Sequence, residues 1–111
     1  MAAFGPGDTN KNLQLSILGE TFEIEEMYPA YIEVARFQNE TGAQRSFQWS
    51  FATEKLHKKL FEKALAAVQS GHDVELKPIH ICQVCGYTIE GNAPDLCPLC
   101  NARKDKFVAY D

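Results

Sequence analysis

The chain has 111 residues, 11 Lys or Arg against 15 Asp or Glu, a formal net charge of -4 and 45% hydrophobic residues. That balance provides no basic face to neutralise phosphates, so no nucleic-acid partner is expected. No apolar run approaches the roughly 18 residues of a membrane span, so no membrane partner is expected either.

The opening Met-Ala-Ala-Phe-Gly-Pro-Gly has neither a basic start nor a long apolar stretch. It does not read as a secretory signal, and a cytoplasmic location is expected. Residues 1 to about 8 are rich in Gly and Pro and are expected to be disordered, with Asp8, Thr9 or Asn10 available to cap a helix beginning there. Leu13, Ile17, Glu20, Glu23, Met27, Ala30 or Tyr31, Val34 and Phe37 then recur in steps of three and four, which predicts one long helix. Pro29 removes the bond from its own nitrogen to the Glu25 carbonyl, so a kink or local unwinding is expected there.

Gln38 to Gly42 reads as a turn, with Gly42 breaking the pattern. A second helix carries the stripe Phe47, Ser50 or Phe51, Glu54, His57, Leu60 or Phe61, Ala64 or Leu65, and Val68, and Gly71 is placed to cap its C-terminus. A turn this short makes the helices antiparallel neighbours. Lys55, Lys58, Lys59 and Lys63 lie beside Glu54 and Glu62 on the solvated side of this helix. Three units are therefore expected: a hairpin over residues 1–71, a linker over 72–79, and a small unit over 80–111 with strand-like pieces at Ile79–Ile81 and Tyr87–Ile89.

That last unit holds all four cysteines, as Cys82-Gln-Val-Cys85 and Cys97-Pro-Leu-Cys100, two CxxC pairs separated by 11 residues. Each pair presents two thiolates from one tight loop, and two facing loops complete the tetrahedron that zinc and thiolate-bound iron both accept. The spacing does not choose between the two metals. Disulfides would need an oxidising compartment, which nothing in the chain suggests. A unit this small lacks room for an apolar core and is expected to be held by its metal.

Glu20, Glu23, Glu54 and His57 occupy positions where each helix's periodicity asks for a core residue. Each uncompensated buried carboxylate would cost several kcal/mol, so together they would rival the stability of a small domain. A bound cation compensates them most completely. Residues three apart on a helix can point at one centre, and Glu-x-x-His facing a Glu from another helix is the unit of carboxylate-bridged two-metal bundle sites. Oxygen ligands with imidazole suit iron or manganese. Such a site draws on four helices and this chain supplies two, so a homodimer or higher oligomer is expected, with six carboxylates and two imidazoles around two metals. One detail resists: with the turn centred near residues 40 to 41, Glu23 lies about four residues farther from it than Glu54, or about 6 Å along the axis.

The stretch from Gly19 through Glu20, Glu23 and Tyr28 to Pro29, then Ala52 to His57, then Cys82 to Tyr87, Glu90 to Pro94, Cys97 to Cys100 and Lys104 to Phe107, closely resembles rubrerythrin. The resemblance covers nearly the whole chain after residue 8, with the motifs in the family's order. It implies a mainly α fold, a helical hairpin that forms a ferritin-like four-helix bundle by dimerisation, and a small C-terminal β-rich rubredoxin-like metal domain. It further implies an oxidoreductase: a non-haem di-iron peroxidase that reduces hydrogen peroxide to water, served by an electron-donor protein or reductase. By this matching Glu20 and Glu23 resemble the ligands of the family's third bundle helix, and Glu54 and His57 those of its fourth. Tyr28 resembles a tyrosine near the di-iron site that bonds its carboxylates, and Cys82, Cys85, Cys97 and Cys100 resemble the iron relay.

The family's two preceding bundle helices, with a further Glu and a further Glu-x-x-His, have no counterpart here. That leaves a natural half-bundle that dimerises, a fragment, or one of two complementary chains. Other functions stay open on the residues alone: a zinc-bearing structural module, an electron carrier, or a protein that oxidises and handles ferrous iron. His72 and His80 read as exposed linker residues, and Trp49 as packing.

Overall fold

The computed structural model describes residues 7–110; the opening segment to residue 6, expected to be disordered, lies outside the described residues. Helix α1 spans Thr9–Phe22 and starts on Asp8, whose Oδ1 accepts the Lys11 N–H at 2.8 Å. This satisfies one of the donors that a helix N-terminus leaves free. A π-helical turn, Glu23–Met27, comes next and leads into α2, Tyr28–Phe37. The unwinding expected at Pro29 is thus a widened turn just before it, in which the Tyr28 N–H reaches back five residues to the Glu23 carbonyl. Pro29 has no N–H to contribute, and the Thr21 hydroxyl bonds the Ile17 carbonyl at 2.7 Å upstream, a back-bond that loosens helices. Single π turns of this kind recur at functional sites, and Glu23 opens this one.

Helix α2 is closed at Asn39, not at Gly42. Asn39 has φ 59°, its N–H bonds the Arg36 carbonyl at 3.1 Å, and the Glu40 N–H bonds that of Ala35 at 2.9 Å. Asparagine tolerates this left-handed conformation, so it closes the helix with paired bonds as glycine would. Gly42 lies in the first turn of α3, which spans Thr41–Gln69. The same closure ends α3, where Gly71 has φ 81°, its N–H bonds the Val68 carbonyl, and the His72 N–H bonds that of Ala67. The earlier turn removes the expected mismatch between the helices. Counted from Asn39, Glu23 lies sixteen residues before and Glu54 fifteen after, a difference of about 1.5 Å along the axis.

The hairpin has little core of its own. Among its described residues only Ala35 and Thr53 are buried, while Leu18 is 64% and Val34 54% exposed. Near the turn Tyr28, Tyr31 and Phe47 pack ring to ring, with Tyr31 and Phe47 centroids 5.5 Å apart.

Beyond the linker lies an antiparallel sheet of β1 (Ile79–Cys82), β2 (Thr88–Glu90) and β3 (Phe107–Tyr110), in the order β2-β1-β3. The first strand contains the expected piece Ile79–Ile81, and the second overlaps the expected Tyr87–Ile89 at Thr88 and Ile89, starting one residue later. The third, which pairs with β1, was not expected. Among the described residues of this unit the buried ones are Cys82, Thr88, Ala93 and Cys97, so cysteines stand where a larger domain would place aliphatic side chains. The sheet rests on α3. Lys63 Nζ meets both carboxylate oxygens of Glu90 at 2.8 Å, His57 meets Thr88, and a Cβ on Gly86 would lie 3.9 Å from the Thr53 methyl. Among the described residues no helix is long and apolar enough to cross a membrane.

Candidate metal centres

Among the described residues two groups of side chains could each hold a metal ion: Cys82, Cys85, Cys97 and Cys100, and Glu20, Glu54 and His57. In each group the donor atoms lie within 4.8 Å of one another.

The cysteine group is built twice from one local design. In the first loop the Gly86 N–H bonds the Cys82 carbonyl at 2.9 Å and the Cys82 N–H bonds the Tyr87 carbonyl at 2.9 Å. In the second the Asn101 N–H bonds the Cys97 carbonyl at 2.9 Å and the Cys97 N–H bonds the Ala102 carbonyl at 2.7 Å. Both loops turn on a left-handed residue, Gly86 at φ 79° and Asn101 at φ 64°. The loops bring Cys82 Sγ within 3.7 Å of Cys100 Sγ, and Cys85 Sγ within 3.6 Å of Cys97 Sγ. A tetrahedron with metal–sulfur bonds of about 2.3 Å has edges of about 3.8 Å, so the four sulfurs fit a tetrathiolate metal.

Burial pushes the Cys82 thiol up, but the Val84 and Cys85 backbone N–H groups and the Cys100 and Cys85 sulfurs outweigh it, leaving the thiol below its usual range. Burial raises the Cys85 thiol well above that range, against the Tyr87 N–H, with the neighbouring sulfurs adding to the rise. Burial likewise raises Cys100. Four sulfurs crowded out of water cannot all be thiolates without a cation among them, which is the charge a metal supplies.

The second group forms where α1 crosses α3. The ring nitrogen Nδ1 of His57 lies 2.8 Å from Glu54 Oε2 and 3.9 Å from Glu20 Oε1. Glu54 and His57 share a face of α3 by their three-residue spacing. Glu20 reaches them from the last turn of α1, with only 13% of its side chain exposed. Burial, reinforced by Glu54 and then Glu23, pushes the Glu20 carboxyl up to about 8. Its Oε2 is buried and accepts no hydrogen bond. A carboxyl that burial and its acidic neighbours keep from ionising is what a cation would release to the charged form, so these residues fit the carboxylate-and-imidazole metal site expected of them.

Glu23 stands beside this group, not within it. Burial raises its carboxyl, the Glu54 charge adds to the rise, and a hydrogen bond with Glu20 and the nearby His57 oppose it. Tyr28 is half-buried at the start of α2. Burial raises its phenol, a hydrogen bond with Ser50 opposes, and the carboxylates of Glu54, Glu23 and Glu20 add to the rise. Its hydroxyl therefore stays protonated at neutral pH beside the acidic group.

Sequence reasoning missed one contact of the site: the outer nitrogen of His57, Nε2, lies 3.1 Å from Thr88 Oγ1 on β2. The two residues are 31 apart in the chain, and no spacing signals them. His72 is exposed as expected, whereas His80 is half-buried, with a buried Nδ1 that lacks a partner. Trp49 lies under the Arg45 guanidinium, 5.6 Å from its ring centroid.

Comparison with known proteins assigns both halves. A family model described as Rubrerythrin matches residues 4–65, and one described as Rubrerythrin, rubredoxin-like domain matches residues 80–108. The chain is 41% identical to Rubrerythrin-2 of Clostridium acetobutylicum over 109 residues, covering 98% of this chain and 59% of that protein. It is 35% identical to Rubrerythrin of Nitratidesulfovibrio vulgaris over 113 residues, covering 96% of this chain and 59% of the relative. The solved structure of fully reduced, all-ferrous nigerythrin superposes with a TM-score of 0.81 at 30% identity, over 99% of this chain and 53% of that one. The chain spans about half the length of the curated relatives it matches, between 48% and 59%.

Proposed function

The chain belongs to the rubrerythrin family, and from that premise we propose that two copies of it assemble a non-haem peroxidase that reduces hydrogen peroxide to water. The family's cofactors are a di-iron carboxylate site and a rubredoxin-like tetrathiolate iron site, and the chain carries a group of side chains suited to each. The reaction joins one peroxide with two electrons and two protons to give two waters. When bound, the iron pair supplies two electrons and polarises the O–O bond, and the thiolate iron replaces them one at a time.

The observation that carries this reading is the convergence of Glu20, Glu54 and His57 on one another, with Glu20 buried among them. Glu20, Glu23, Glu54 and His57 of each copy hold the metals, and the second copy supplies the ligands that one hairpin lacks. In the metal-free chain Glu20 keeps a proton near neutrality, which it releases when a cation binds. Tyr28, whose phenol burial and the nearby carboxylates keep protonated, donates to the carboxylates in the assembled site. Cys82, Cys85, Cys97 and Cys100 hold the relay, fed by a donor protein or reductase.

The apolar side chains of Leu18, Phe22, Tyr31 and Val34, exposed in the single chain, are covered by the partner hairpin in this assembly. Residues 1–71 then act as the half-bundle, 72–79 as the tether and 80–111 as the electron-relay unit. Free thiols at all four cysteines suit a reducing, cytoplasmic setting.

Glu54→Ala and His57→Ala test the reading. Peroxide turnover should be lost in both, while the red colour of oxidised tetrathiolate iron persists. Turnover equal to wild type in both would remove the Glu/His group from the reaction. Iron analysis separates the rivals: two irons per chain are expected, one would leave an electron carrier, and a colourless zinc protein would leave a structural module. Faster turnover with dioxygen than with peroxide would instead mark an iron-oxidising protein.

A further inference from the structure

We propose that Thr88 is a positioning residue for the Glu/His site, holding the proton on His57 Nε2 so that Nδ1 is the nitrogen a cation takes. The inference rests on the reading of His57 as a metal ligand and adds to it a residue from the opposite unit of the chain.

Counting protons places one hydrogen on Nε2. A threonine hydroxyl has one proton to give. Thr88 gives it to the Gly86 carbonyl, at 2.9 Å. Toward His57 Nε2, at 3.1 Å, the same oxygen can then only accept, so Nε2 carries the hydrogen. Nδ1 lies 2.8 Å from Glu54 Oε2 and 3.9 Å from Glu20 Oε1, so in the metal-free chain one proton is shared between Nδ1 and Glu54, and it is this proton, not the one on Nε2, that a cation would displace. Thr88 is 6% exposed, so water does not readily replace it. Ligating histidines generally need such an outer partner to fix tautomer and ring orientation.

The contact belongs to a seam between α3 and the stretch from the first cysteine loop through β2. Thr53 faces Gly86, His57 faces Thr88 and Lys63 pairs with Glu90. Gly86 directly follows Cys85. The Thr88 hydroxyl therefore joins the ring of one metal group to the backbone of the other, and docking of the sheet and cation binding by the hairpin favour each other.

The test uses the full chain with iron bound by its four cysteines, as wild type, Thr88→Val and Thr88→Ser. Cobalt(II) is titrated as a coloured probe of the Glu/His group, and the His57 ring nitrogens are followed by 15N NMR before cobalt is added, with zinc replacing iron for that measurement. Valine keeps the shape of threonine without its hydroxyl, and serine keeps the hydroxyl. Thr88→Val should weaken cobalt binding about 10- to 100-fold and lose the Nε2–H signature while the thiolate–iron spectrum stays unchanged. Thr88→Ser should restore both.

Wild-type affinity and an unchanged tautomer in Thr88→Val would overturn the proposal, as would a Thr88→Ser variant as weak as valine, which would assign the effect to the methyl group. Failure of the wild type to bind cobalt would overturn the metal role of His57. The nitrogen spectra would still decide whether Thr88 sets the tautomer.

Discussion

Gly86 and Asn101 occupy equivalent places: each follows the second cysteine of its pair, each is left-handed, and each donates its N–H to the carbonyl of the first cysteine at 2.9 Å. One position is a glycine and the other is not, so backbone strain falls on one loop. A Cβ on Gly86 would meet nothing closer than 3.9 Å, so substitution there tests conformation without a clash. Gly86→Ala should destabilise the iron-loaded unit by about 1–2 kcal/mol, and Asn101→Gly should leave it unchanged to within about 0.5 kcal/mol or slightly more stable. Denaturant melting followed at the thiolate–iron absorption measures both.

The metal-free protein should lose stability as pH rises from about 5 to 8. Glu20 is raised from 4.5 to about 8 in the folded chain, so across that window the native state holds a proton that the unfolded chain has released. Stability then falls with pH, because the unfolded state binds fewer protons. The whole effect is on the order of 3 to 5 kcal/mol. Glu20→Gln should flatten the dependence, and saturating metal should reverse it. Urea unfolding of the metal-free protein at several pH values gives the slope.

Removing metal from the cysteines should separate the two halves in their response. The sheet unit buries only Cys82, Thr88, Ala93 and Cys97 among its described residues, too little to hold it without the ion. Chelation at low pH should abolish the slow amide exchange of β1, β2 and β3 while most of the helical circular dichroism remains. Parallel loss of both signals would show that α3 depends on the sheet packed against it.

A charge on the exposed apolar face should dissolve the assembly. Leu18 and Val34, 64% and 54% exposed in the single chain, are poorly covered within it. Leu18→Glu or Val34→Glu should therefore cost the monomer little, within about 0.5 kcal/mol, yet shift the solution mass toward one chain and lower the iron bound at the Glu/His group. Light scattering with metal analysis reads both.

Much of this architecture can be read in the sequence because its signals are local. A CxxC pair dictates a loop whose bonds close over four or five residues, and Glu54 and His57 share a face by helical spacing alone. The position of the hairpin turn is less legible. The residue taking the left-handed conformation is Asn39, whereas Gly42, the more conspicuous candidate, sits harmlessly in the next helix. That shift is what brings Glu20 and Glu23 level with His57 and Glu54. The π turn before Pro29 is legible only as a disturbance, since a missing N–H does not specify how the chain will rearrange around it.

The residue pattern by itself marked the candidate metal-ligating side chains, because ligand spacing and helical period are properties of neighbours in the chain. Tertiary structure alone decided how Glu20 meets His57 across two helices and how Thr88 reaches the outer nitrogen of that ring from a strand 31 residues away. Those contacts depend on the register of the turn and the docking of the sheet, and no short-range pattern encodes either.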